Sequence, residues 1–194
     1  MVGPIYGQEV GLSAGQIAWF LLAFVVGGAL AQIPIGWLAD KYDRRKVLIW
    51  MSVAAIGSCG VTMATATWGV TGVFLSAGLF GFTTFPIYSV AAAHAHDFAS
   101  SDERVELSAA LMFWFAMGAI AAPYGTSLLI ESYGPEAMFI MLAIGHAGLI
   151  VFSIARMAAR PTKAVRTAYI NAPRTSFTVG RLFRREREKT KDMP

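Results

Sequence analysis

Charge is what this chain has least of. Only 14% of its 194 residues are Asp, Glu, Lys or Arg, against 56% hydrophobic, a balance too apolar for an ordinary soluble domain. The charges are also missing in blocks. None lies between Glu9 and Asp40, between Lys46 and Asp97, between Glu106 and Glu131, or between Glu136 and Arg156. Crossing roughly 30 Å of hydrocarbon takes about 20 apolar residues, so these windows hold one, two, one and one spans. Soluble helices of this length would carry a polar face. These segments are apolar nearly all round, the pattern of helices in lipid.

Other absences narrow the function. The single cysteine, Cys59, excludes an intramolecular disulfide and, lying in an apolar window, reads as a small packing residue. The stretch MVGPIYGQEV lacks the basic start and short apolar core of a cleavable leader, so the first span is expected to act as its own insertion signal. No Gly-rich loop ending in Lys-Ser/Thr occurs, which leaves ATP-driven chemistry without support. No nucleophile paired with a base sits at membrane depth, so an enzyme is not expected, nor is a cofactor or a metal.

What is present predicts an all-α, polytopic membrane bundle of five transmembrane helices, over about 13–38, 47–66, 68–93, 107–130 and 137–155. Residues 1–160 form this bundle, and 161–194 a basic cytoplasmic tail expected to be disordered. Ser13 and Gln16 have the spacing of a capping box, TATWG turns the second span into the third, and Pro135 suits a first helical turn. Five spans place the loop after the first span, the loop HAHDFASSDERVE and the tail on one side. All 16 Lys and Arg then share that side: Lys41, Arg44, Arg45, Lys46, Arg104 and the rest from Arg156 onward. The other side has only Glu9, Glu131 and Glu136. By the positive-inside rule the basic side is cytoplasmic and the N-terminus faces out. The run GRLFRREREKTK reads as a solvated, topology-setting tail, so the lipid bilayer is an expected partner and nucleic acid is not.

The loop after the first span, GWLADKYDRRK, gathers Asp40, Lys41, Asp43, Arg44, Arg45 and Lys46 in a chain otherwise short of charge. Arg44, Arg45 and Lys46 are expected to anchor the span in headgroups, and Gly36 to thin the helix for a close neighbour. A carboxylate such as Asp40 at a membrane boundary favours a nearby cation or a helix N-terminus. The order Gly36, Leu38, Ala39, Asp40, Lys41, Arg44, Arg45, Lys46 is similar to the signature loop of the major facilitator superfamily, which joins the second and third helices of each six-helix half. Asp43 stands where that pattern commonly has glycine. Aspartate accepts left-handed backbone better than most residues, but it adds an acid that competes for the base pairing with Asp40.

The stretches GLFGFTTFPIYSVAAAHAHD and GAIAAPYGTSLLIESYGPEAMF resemble the tenth to twelfth helices of a bacterial branch of these transporters. The resemblance covers about residues 5–160 and corresponds to helices eight to twelve, a partial C-terminal half. It implies transport of a small solute across the bacterial inner membrane by alternating access. In that scheme Gly36, Asp40, Lys41, Arg44, Arg45 and Lys46 form a conformational gate whose acid engages helix ends of the opposite half. The expected partners are a small-molecule substrate and an N-terminal transporter half or a second copy. A membrane interaction protein that does not transport is the alternative.

Further candidates lie within the spans. Pro34, Pro86 and Pro123 each free a backbone carbonyl and bend a helix. Near them Gln32, Thr83, Thr84, Tyr88, Trp114, Tyr124 and Thr126 would supply the polar and aromatic lining of a cavity, the plainer reading of each being a bond between helices or a place at the interface. His146, between small residues midway along the fifth span, suggests proton coupling or a hydrogen bond across a close helix contact. His94 and Asp97 match the family's Ala-His-x-x-Asp pattern and are expected at a cytoplasmic gate contact. With His96 they read as a helix terminus rather than a metal site. Gly69, Gly72, Gly78 and Gly81 form a stripe of small residues for helix packing.

Overall fold

The computed structural model describes residues 2–65 and 68–159, and these form six α-helices: α1 Gly3–Glu9, α2 Ala14–Lys41, α3 Arg44–Thr65, α4 Gly69–His96, α5 Arg104–Tyr133 and α6 Ala137–Ala159. Among the described residues there is no strand, and α2 to α6 are long and apolar enough to cross a membrane. The expected tail from residue 161 onward lies outside the described residues, as do Ala66 and Thr67 of the TATWG turn. Consecutive helices alternate in direction. The 42–43 and 97–103 connections and the end of α6 therefore share one end of the bundle, called here the hook end, and the 10–13 and 134–136 connections, the end of α3 and the start of α4 share the other.

Most helix ends lie about one turn beyond the apolar stretch that predicts them. An apolar run marks where hydrocarbon ends, whereas the helix continues through headgroups as long as its side chains permit. Lys41, Arg44, His96, Arg104 and Tyr133 lie in these extensions. The 28 residues of α2 span about 42 Å at 1.5 Å per residue, more than the hydrocarbon alone requires. The start of α2 is fixed by the capping box: Ser13 N–H donates to Gln16 Oε1 at 2.8 Å, and Gln16 N–H donates to Ser13 Oγ at 3.4 Å. Pro135 lies just ahead of α6, where its carbonyl accepts from Met138 N–H at 3.4 Å. Gly134, between α5 and that turn, has φ +85°, backbone that glycine adopts without a Cβ penalty.

The sequence offers no sign of α1, which is too short for a periodic pattern. It starts at a proline in its first turn and seats Tyr6 against Phe139 in an edge-on contact, centroids 4.9 Å apart, with Phe20 at 6.0 Å. Tyr6, Phe20, Cys59, Val73, Ala77, Ile130, Met138 and Phe139 form the apolar core at that end of the bundle. At the hook end a second core gathers Ala31, Ile35, Ala39, Val47, Leu48, Met51 and Val90 from α2, α3 and α4.

Between these cores α2 and α4 meet backbone to backbone. A Cβ on Gly27 would overlap the Gly78 carbonyl, and one on Gly81 would overlap the Phe24 carbonyl. Only glycine permits this approach. The expected stripe of four glycines thus divides. Gly78 and Gly81 form the crossing, Gly72 lies against Thr65 and Trp68, and Gly69 turns the chain with φ +74°. By contrast α5 is peripheral and buries only Thr126 and Ile130.

Apart from Trp114 and Tyr124, which lie well inside α5, the strongly exposed Trp and Tyr side chains of the described residues collect at the helix ends. Trp37, Tyr42 and Trp50 stand at the hook end, and Trp19, Trp68 and Tyr133 at the other. This is the double belt expected where amphipathic rings settle at two membrane surfaces.

Candidate functional site: a charged clasp at the hook end

At the hook end α2 ends at Lys41 and α3 begins at Arg44, with only two residues between them. Asp43 makes this tight junction possible. Its carbonyl accepts the first helical bond of α3 from Val47 N–H at 3.1 Å, and its Oδ1 accepts from Arg45 N–H at 3.0 Å, which satisfies one of the donors that a helix start leaves open. No non-glycine described residue has positive φ. The turn therefore uses aspartate as a helix cap, and the left-handed backbone that glycine would supply at this position is not used here.

Two adjacent arginines then diverge. Arg44 is 1% exposed and reaches the end of α4, where its Nη1 donates to the Ala93 carbonyl at 2.7 Å and to Asp97 Oδ1 at 2.6 Å. Its Nη2 lies 3.5 Å from Asp40 Oδ1 at the end of α2. One guanidinium thus ties the ends of α2 and α4 to the start of α3. Asp97 is 7% exposed and Asp40 46%, so the clasp has a buried side and an open one. Arg45 turns the other way, with Nε 3.3 Å from Asp43 Oδ1 and Nη2 3.0 Å from Oδ2, while its Nη1 donates to the Arg156 carbonyl on α6 at 3.3 Å. Each arginine places positive charge on the carbonyl end of a neighbouring helix, where the helix dipole favours it.

These positions correct one expectation. Arg44 and Arg45 do not anchor in headgroups. Both are buried, because each finds a carboxylate and a helix-terminal carbonyl inside the bundle, and a buried charge is tolerated only when so paired. Lys41 and Lys46 are the loop's exposed cations. The competition foreseen between Asp40 and Asp43 resolves into a division, Asp43 with Arg45 and Asp40 with Arg44. Gly36 is buried on α2.

The structure brings Asp97 into the clasp, and His94 and His96 lie beside it, both within electrostatic reach of Asp97, with their ring and hydrogen-bond contacts made to other residues. The His94 ring meets Phe98 edge-on at 5.2 Å, and His96 Nε2 lies 3.4 Å from Ser108 Oγ. The cation on the α4 carbonyl end is Arg44 rather than a histidine. In the connection that follows, Glu103 accepts from Ser100 N–H at 2.9 Å and from Ser100 Oγ at 2.8 Å. These bonds hold its carboxyl below the usual range.

The cavity candidates are spread over three helices. Gln32 on α2 and Thr83 on α4 are buried, and Thr83 Oγ1 lies 3.0 Å from Ser58 Oγ on α3. Thr84 donates to the Phe80 carbonyl at 2.7 Å. Tyr88 packs on Phe115, centroids 5.3 Å apart, with its hydroxyl 3.9 Å from Met112 Sδ. Thr126 is fully buried, 3.8 Å from Met141 Sδ on α6, whereas Trp114 and Tyr124 are exposed on α5. His146 is half-buried midway along α6. Sequence reasoning missed the Asp43–Arg45 pair, the Arg156 carbonyl and Ser58. The i to i+2 spacing of Asp43 and Arg45 across a helix start is the sign that points to the pair.

A family model for the Major Facilitator Superfamily matches residues 1–188. Curated relatives include an uncharacterized MFS-type transporter of Yersinia enterocolitica, 33% identical over 141 residues that make up 72% of this chain and 35% of the relative. The uncharacterized MFS-type transporter YcaD of Escherichia fergusonii matches at 33% identity, and that of Salmonella arizonae at 30%, over the same shares. The chain therefore spans about a third of the length of the curated relatives it matches. No solved structure matches it significantly. Five membrane-length helices, a charged clasp across their ends and a family match over nearly the whole sequence place this chain, an integral membrane protein, in the Major Facilitator Superfamily.

Proposed function

We propose that this chain works as part of a secondary active transporter that moves a small solute by alternating access, with the hook-end clasp as its conformational latch. The observation that carries this reading is the asymmetry of the clasp. Arg44 and the side chain of Asp97 are buried and join helix ends within the chain, while the Asp40 side chain is 46% exposed on the same guanidinium. A half-open carboxylate can exchange partners at modest cost, since ion pairs near the surface are worth about 0.2–1 kcal/mol. Its second partner is a helix end of an N-terminal transporter half or of a second copy. The nearly uncovered surface of α5 favours assembly with further helices, and an interaction protein without transport remains the alternative. Gln32, Thr83, Thr84, Tyr88, Trp114, Tyr124 and Thr126 supply the lining of the solute path and His146 the proton coupling. The hook end is cytoplasmic and the N-terminus external in the bacterial inner membrane, by the distribution of Lys and Arg.

The test uses a cysteine at Thr84 in a Cys59→Ser background, labelled by an impermeant maleimide in right-side-out and inside-out vesicles. Asp40→Asn is expected to change the ratio of labelling from the two sides by roughly two- to fivefold, the factor matching about 0.5–1 kcal/mol. An unchanged ratio refutes the latch. Labelling that depends on pH, and loses that dependence in His146→Ala, supports coupling through His146. Dependence that persists in the variant removes that role.

A further inference from the structure

The outer face of the hook end carries a second constellation that the clasp does not use. Lys41 Nζ sits 4.7 Å over the Trp37 ring and 5.7 Å from the Tyr42 ring, and Tyr42 meets Trp50 edge-on at 5.4 Å. Lys46 and Trp50 share a face of α3 by their spacing of four, as Trp37 and Lys41 do on α2. The loop is thus flanked by two Lys–Trp pairs, bridged by Tyr42. All five side chains are exposed.

Charge and depth together set the chemistry that this face offers. Within the loop, Asp40 is matched by Arg44 and Asp43 by Arg45, and neither lysine belongs to any of the three ion pairs. Arg44 is shared between Asp40 and Asp97 and the Asp40 side chain is 46% exposed, so the charge facing outward is that of two ammonium groups set against one half-open carboxylate. Trp37 lies four residues before the end of α2 and Trp50 six after the start of α3, about 6 and 9 Å inside the helix ends, a depth at which indole rings settle between headgroups and acyl chains. At the opposite end of the bundle Trp19, Trp68 and Tyr133 form a belt without a lysine or arginine, beside Glu131 and Glu136. Aromatic depth is common to both ends, and among the described residues cationic charge is confined to one. The cation–π contacts hold Lys41 at the interface with its donors available.

We propose that Trp37, Lys41, Tyr42, Lys46 and Trp50 form a binding site for the headgroup of an anionic phospholipid, the two ammonium groups meeting the phosphodiester and the rings bracketing the upper acyl chains. This site is independent of the transport reading, because it needs only that the chain spans a bilayer. The full chain in nanodiscs is titrated with brominated phosphatidylglycerol or brominated phosphatidylcholine, and tryptophan quenching gives the relative binding constants. Phosphatidylglycerol is expected to win by roughly thirty-fold at low salt, the factor for about 1 kcal/mol at each of two lysines, with the preference shrinking as ionic strength rises. The double variant Lys41→Gln, Lys46→Gln should lose the preference. Lys41→Arg with Lys46→Arg should keep it, which shows that a loss in the glutamine variant is one of charge and not of fold. Equal binding of the two lipids, or a preference that survives the glutamine substitutions, overturns the proposal. Displacement of the lipid by millimolar inorganic phosphate at constant ionic strength also overturns it, by identifying a site for free phosphate.

Discussion

Arg44 and Arg45 are neighbours in sequence, yet they serve different helix pairs. Arg44 closes α2 and α4 onto α3, and Arg45 closes α6 onto the same helix. Removing the cation between Asp40 and Asp97 leaves two carboxylates facing each other, one of them buried. Arg44→Ala is therefore expected to cost about 3–5 kcal/mol, against about 0–1 kcal/mol for Lys46→Ala on the exposed side. Thermal unfolding in detergent, followed by tryptophan fluorescence, measures the difference. Asp43 has two tasks that substitution can separate. Asparagine caps a helix about as well as aspartate but carries no charge, so Asp43→Asn keeps the cap and loses the ion pair. Asp43→Ala loses both and should be less stable by a further amount of about 1 kcal/mol. Equal stabilities for the two variants would show that the cap contributes nothing.

Helices meet in two ways in this bundle, and substitutions should distinguish them. At the α2–α4 crossing the backbones touch through Gly27, Gly78 and Gly81. A Cβ on Gly27 or Gly81 has nowhere to go, so Gly81→Val is expected to part the two helices and to lower the melting temperature or the yield of folded protein. On α5 a Cβ at Gly118 meets nothing within 4 Å, and Gly118→Ala should be neutral or stabilising by up to about 1 kcal/mol through helix propensity. The five membrane helices were legible because charge-free windows report hydrocarbon directly, and the Ser13–Gln16 cap because its residue types and spacing are specific. The short helix α1 was not, since seven residues carry no period and Tyr6 acquires its role only from Phe20 and Phe139 far along the chain. Burial of Arg44 and Arg45 was equally hidden. Sequence marks them as cations at a membrane edge, and only the fold brings the carbonyls of Ala93 and Arg156 within reach.

For the whole molecule, the governing feature is polarity from end to end. Among the described residues one end carries Lys41, Arg44, Arg45, Lys46 and Arg104, and the other only acids. The expected orientation is checked with single cysteines in the Cys59→Ser background. A cysteine at Lys46 should react with an impermeant reagent only in inside-out vesicles and one at Glu136 only in right-side-out vesicles. The reverse pattern would invert the proposed topology. Cys59 is buried, so its removal clears the labelling background at little cost to the exposed surface.

The glycine crossing also limits how such a molecule can move. Helices separated by side chains can slide over one another in small steps, but α2 and α4 touch main chain to main chain and have no such bearing between them. Their hook ends are linked again through Arg44 for as long as Asp40 stays paired with it. A swing that carried Asp40 a few ångströms would take Asp97 with it as a single plank, so the slippage of any rocking stroke falls on the looser seams bordering α5.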